Sequence, residues 1–132
     1  MKYVCFLAVA GIVSVAAAAE PPPALYTLDQ SSAGESLYLE RCSGCHNPDL
    51  TDGNHGPGLV TDSFWANWEN KPMRELYGRI ISTMPEDDPG TLPPSQVLSL
   101  VAYILKANGY PAGETPLASP NNLNGIALHR VK

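Results

Sequence analysis

The five residues Cys42-Ser43-Gly44-Cys45-His46 constrain this 132-residue chain more than any other feature. Two thiols separated by two residues fall on one side of a short helical turn, and a histidine follows at once. Four chemistries use a C-x-x-C pair: a thiol–disulfide redox centre, half of a zinc site, a structural disulfide, and the attachment of a c-type haem. In the last, both thiols reach the two vinyl groups of one porphyrin and the histidine binds its iron. Zinc would need a second ligand pair, and only the scattered His55 and His129 remain to supply one. The adjacent histidine favours one covalently attached haem c, tethered by Cys42 and Cys45 with His46 as a metal ligand.

The amino terminus gives an independent expectation about compartment. Lys2 supplies a positive start, residues 4–15 an apolar stretch, and Ala17-Ala18-Ala19 an A-x-A cleavage site before Glu20. The apolar run is short for a membrane span, and Pro21, Pro22 and Pro23 follow it directly. Residues 1–19 are therefore read as a cleaved signal peptide, with a retained anchor as the competing reading. Cys5 lies inside this leader and far from the cut, so it is no lipid-attachment site. Cleavage leaves two cysteines, both in the pentapeptide, and predicts a periplasmic protein with no stable membrane insertion.

What remains has the length of one small domain. The formal net charge of −5 disfavours nucleic acid and anionic membranes as partners and suits a redox protein with a basic docking patch. Residues 20–30 read as a Pro-rich extended arm, residues 31–113 as the domain, and residues 114–132 as a tail either packed on it or disordered. A first helix is expected from Ser31 or Ser32 into the pentapeptide. The stretch 47–61, with its glycines and prolines, reads as loop. A second helix opens near Lys71 with the stripe Met73, Leu76, Tyr77, Ile80 and Ile81, and ends at Pro85. A last helix starts at Pro93 or Pro94, carries Val97, Leu100, Val101, Ile104 and Leu105, and stops at Asn108-Gly109. No segment alternates as a strand would, so the fold class is all-α.

These residues together resemble the class I c-type cytochromes over nearly all of the mature sequence. The matches are C-S-G-C-H at 42–46, G-P-G-L at 56–59, T-M-P at 83–85 and the final amphipathic helix. The run 101–113 is most like the cytochromes associated with quinoprotein alcohol dehydrogenases. The resemblance implies a small cytochrome c fold, three to four helices wrapped around one covalently bound haem with long irregular loops. It also implies that Gly34 and Tyr38 pack on Leu100 and Tyr103. By the same resemblance the carbonyl of Pro57 receives the second N–H of His46, and Leu59 packs on the haem. A plain Gly-Pro turn is the alternative for that stretch.

Met84 sits in a loop stiffened by Pro85 and Pro89. Its soft thioether would stabilise ferrous iron and fill the second axial position. The competing readings are a core methionine, which Met73 fits better, or axial ligation by His55 or His129. Trp65 and Trp68 are candidates to meet a haem propionate through an indole N–H, or else to form apolar wall. Iron bound by His46 and Met84 has no open position. The expected function is therefore single-electron transfer between redox proteins rather than catalysis, with a quinoprotein dehydrogenase as donor and an oxidase or another cytochrome as acceptor. A cytochrome subunit fixed in a dehydrogenase complex, and a haem enzyme or gas sensor with open iron, are the alternatives.

Overall fold

A computed structural model of the chain describes residues 20–131. The expected signal peptide, residues 1–19, lies outside the described residues. Five α-helices occur among the described residues: α1 Leu28–Arg41, α2 Ser43–His46, α3 Asp62–Trp68, α4 Met73–Thr83 and α5 Pro94–Ala107. One 3-10 turn, Pro120–Leu123, follows. Among the described residues there is no strand, only an isolated antiparallel bridge between Pro72 and Ala127. The class is all-α, as the sequence pattern and the resemblance both imply.

Helix α1 begins earlier than the serines suggest, which shortens the arm expected over 20–30. Thr27 is the cap, its hydroxyl accepting from the Gln30 N–H at 3.2 Å. Ser31 is instead fully buried inside the helix, its hydroxyl donating to the Leu28 carbonyl at 2.9 Å. Asp29 in the first turn and Arg41 in the last both suit the helix dipole.

Helices α1 and α5 cross where α1 has no room for a side chain. A Cβ on Gly34 would run into the backbone carbonyl of Ser99 and lie 3.0 Å from Tyr103 Cβ. Tyr38 then packs on Tyr103 with ring centroids 5.3 Å apart. Ser99 and Tyr103 are the residues nearest the glycine. Leu100, the residue after Ser99, is buried.

Helix α4 buries Met73, Leu76, Tyr77 and Ile80 and leaves Ile81 half-buried at the edge of the stripe. Helix α5 opens on Pro94, where the missing N–H costs no hydrogen bond. It ends at Asn108, followed by Gly109 at φ +85°, a conformation that glycine adopts without penalty.

Helix α3 lies within a stretch that carries no expected helix. Its seven residues are too few for a periodic signal, yet Phe64, Trp65 and Trp68 do fall on one helical face. Phe64 and Trp65 are buried and meet edge to face at 5.1 Å.

Residues 114–131 pack across the domain. Leu117, Leu123 and Leu128 enter the core. The Met73 N–H donates to the Ile126 carbonyl at 2.8 Å, and the Leu128 N–H to the Lys71 carbonyl at 2.8 Å. The Tyr110 hydroxyl both donates to the His129 carbonyl and accepts from its N–H, each at 2.8 Å. No helix among the described residues is long and apolar enough to cross a membrane.

Candidate haem-attachment site

Helix α1 ends by handing the chain to a single further turn. The Cys42 N–H still reaches the Tyr38 carbonyl at 2.8 Å, while the Cys42 carbonyl accepts from Cys45 at 3.1 Å and from His46 at 3.0 Å. That tight turn makes α2, and it sets both thiols and the imidazole on one short element. The Tyr38 hydroxyl locks the turn from behind, donating to the carbonyls of Asn47 at 2.6 Å and His46 at 3.2 Å. Asn47 then leaves the turn at φ 64°, which its short polar side chain tolerates. That side chain donates to the Asp52 carbonyl at 2.8 Å.

The loop beyond folds back onto the histidine. His46 Nδ1 lies 2.7 Å from the Pro57 carbonyl oxygen. A carbonyl can only accept, so Nδ1 carries the proton and the Nε2 lone pair is left for a metal. Close approach demands small residues here. A Cβ on Gly56 would sit 2.8 Å from two atoms of the imidazole ring, and one on Gly53 would strike the Cys45 carbonyl. Gly53 N–H to Gly56 carbonyl at 2.9 Å and Leu59 N–H to Leu50 carbonyl at 2.7 Å close the loop. Asn108, the cap of α5, donates to the Leu59 carbonyl at 2.8 Å and ties the loop to the core.

Cys42 is half-buried and Cys45 exposed, and both thiols are free. Burial pushes the Cys42 thiol up to about 11, against the opposing pull of Arg41. A thiolate is therefore disfavoured there, whereas a neutral thioether would suit the site.

Met84 is the residue at which α4 ends. Its N–H donates to the Ile80 carbonyl at 3.0 Å, and its backbone turns extended at φ −119° and ψ 148°. Cys42, Leu59, Trp68 and Met84 are all partly buried and pack on the same core cluster. Trp65, on the same helix as Trp68, is fully inside it. Lys71 Nζ stands 5.4 Å from the Trp68 ring centroid. Arg79 is exposed on α4.

The two histidines outside the pentapeptide have other surroundings. His55 is exposed in the loop. His129 is exposed at the far end of the chain, where its Nδ1 is 3.4 Å from a Glu69 carboxylate oxygen. Among the described residues no cluster of three or more His, Cys, Asp or Glu side chains could hold a bare metal ion.

The donor set fits a haem. It consists of two free thiols on one short turn and an imidazole whose Nδ1 is already committed to a carbonyl. Asp52 was not distinguishable by sequence from a solvated loop carboxylate. Its Oδ1 accepts from the Gly58 N–H at 2.7 Å, from Ser63 Oγ at 2.9 Å and from Thr61 Oγ1 at 3.4 Å.

Comparison with known proteins supports the same chemistry. Residues 29–104, more than half of the chain, match the family model described as cytochrome C oxidase, cbb3-type, subunit III. The chain is 35% identical over 85 residues to cytochrome c-L of Methylorubrum extorquens. That match covers 61% of this chain and 42% of that protein, so the chain spans about two fifths of its relative. A chain in the crystal structure of the sulfane dehydrogenase SoxCD from Paracoccus pantotrophus superposes with a TM-score of 0.51. It is 18% identical, with 88% of this chain and 68% of that one covered, and shows a shared fold.

Proposed function

This chain belongs to the cytochrome c family whose model is named for the cbb3-type oxidase subunit III, and we propose that it is a periplasmic monohaem electron carrier. The observation that carries the reading is the 2.7 Å contact between His46 Nδ1 and the Pro57 carbonyl, in a turn that also presents two free thiols. Bound there, a haem supplies a single-electron couple.

The residues around it have distinct tasks. Cys42 and Cys45 tether the macrocycle as thioethers. His46 offers Nε2 as a ligand, and Pro57 fixes the ring's tautomer and orientation. Met84 would offer a neutral sulfur as the other iron ligand, a soft donor that would favour the reduced state. Leu59, Trp65 and Trp68 form apolar wall, with one indole N–H available to a propionate. The loop holds His46 through Pro57, and Asn108 at the end of α5 ties that loop to the core.

Export of the chain follows from the leader expected at residues 1–19. Partners are redox proteins met through a small, short-lived interface at the cofactor edge. The likeness to cytochrome c-L favours a quinoprotein dehydrogenase as donor, with an oxidase or another cytochrome as acceptor. A cytochrome fixed as a subunit of a dehydrogenase is the second reading, favoured by the SoxCD likeness. Gel filtration of the native protein with its neighbours separates the two.

Met84→Ala tests the axial assignment. The variant keeps its covalent haem and shows a lower midpoint potential with an exogenously ligatable iron. An unchanged potential and spectrum would remove Met84 from the site.

A further inference from the structure

The Pro57 carbonyl that meets His46 and the Gly58 N–H that meets Asp52 belong to one peptide unit. In a trans peptide the two groups point in opposite directions across a conjugated plane. Asp52 Oδ1 stands 2.7 Å from the N–H at one end, and His46 Nδ1 stands 2.7 Å from the oxygen at the other. Asp52 and His46 share no hydrogen bond. They are joined through that single amide.

We infer that Asp52 is a positioning and tuning residue for the proximal histidine, acting through the Pro57–Gly58 peptide to set the electron affinity of the haem. The inference rests on the haem reading above. An anionic acceptor on the amide N–H draws the peptide toward its charge-separated form and makes the carbonyl oxygen a stronger acceptor. His46 Nδ1–H is then held more tightly, and Nε2 becomes a better donor. A better donor stabilises ferric over ferrous iron and lowers the potential.

Three features of the loop serve this arrangement. Hydrogen bonds from the Gly58 N–H and Ser63 hold the Asp52 carboxyl below the usual carboxylate range, so it is ionised at neutral pH. Ser63 and Thr61 anchor Asp52 to the start of α3, which fixes the carboxylate in place. Asp52 is also exposed, so water screens its direct field and leaves the hydrogen-bonded route as the main one. Asp49 offers a built-in comparison, since its exposed carboxylate bonds only Thr51 and touches neither end of the 57–58 amide.

The test uses the intact haem protein and two readouts, the midpoint potential and the His46 Nδ1–H resonance of the ferrous form. Asp52→Asn keeps the shape and an acceptor oxygen but removes the charge. The expected result is a raised potential with the Nδ1–H resonance moved upfield, while Asp49→Asn moves neither. Unmoved readouts in Asp52→Asn, or an equal rise in Asp49→Asn, would overturn the relay. If Asp52→Asn does not fold, Ser63→Ala decides. It keeps the carboxylate ionised but frees Asp52 from its anchor on α3, so the potential rises toward that of a protein without the relay. A potential that stays at the parent's value or falls defeats the inference. A haem-loaded parent whose potential ignores both substitutions defeats the relay alone. A parent without haem defeats the functional reading with it.

Discussion

Where α1 crosses α5, contact is made by buried groups: Gly34 against the Ser99 backbone, Tyr38 against Tyr103, and Leu100, Val101 and Leu105 beneath them. In the loop 47–61, only a few residues along the chain, few groups are buried and contact is made by hydrogen bonds. Asp49, Asp52, Asn47 and Thr51 all bond within the loop, and only Leu50 and Gly58 are buried. Burial of apolar area dominates folding free energy, whereas an exposed hydrogen bond adds little net stability. The crossing therefore holds the molecule together. The loop contributes something different, a fixed direction for one imidazole.

This difference makes the two regions separable by substitution. Gly34→Leu drives a side chain into backbone that cannot rotate away. Its cost in chemical denaturation exceeds the about 1–3 kcal/mol of ordinary overpacking, while the potential of the surviving folded molecules stays near that of the parent. A mild loss of stability in that variant would mean that the crossing is looser than drawn.

Leu123→Ala comes next. Leu123 is wholly buried in the last 3-10 turn, and truncation costs about 3 kcal/mol, again with little change in potential. A neutral result would detach residues 114–131 from the stabilising core.

The smallest effect is one of pH. Burial raises Tyr26, Tyr38, Tyr103 and Tyr110 above the ordinary value of 10.0. A raised folded-state value means that the native state keeps its proton longer than the unfolded chain. The contribution is complete below that ordinary value and falls as pH climbs through it. Alkaline titration should thus weaken the buried region first, and reach the turn that carries the imidazole only through Tyr38, whose hydroxyl donates to the His46 and Asn47 carbonyls. Flat stability across that range would contradict the burial.

The same contrast explains what could be read from the chain beforehand. Helices α4 and α5 were legible because their buried faces repeat at helical spacing over at least two turns. Helix α3 has too few residues to show a period. The start of α1 was obscured because two serines outranked Thr27 as caps, although Ser31 is committed to the interior. Leu117, Leu123 and Leu128 enter the core singly, so no repeat marks them.

In the site, Cys42, Cys45 and His46 announced themselves because their chemistry needs fixed spacing along the sequence. The Pro57 acceptor came only through the family resemblance. Asp52 was invisible, since its role depends on where a peptide plane points, and that is a property of the folded loop.

The central claim is a single iron closed on both sides by this chain's own nitrogen and sulfur. The most direct measurement is the visible spectrum of the purified, reduced protein before and after exposure to carbon monoxide. The account predicts the sharp bands of a low-spin haem that stays on the polypeptide after denaturation, with no change on adding the gas. A colourless preparation, or ready formation of a carbon monoxide adduct, would contradict it.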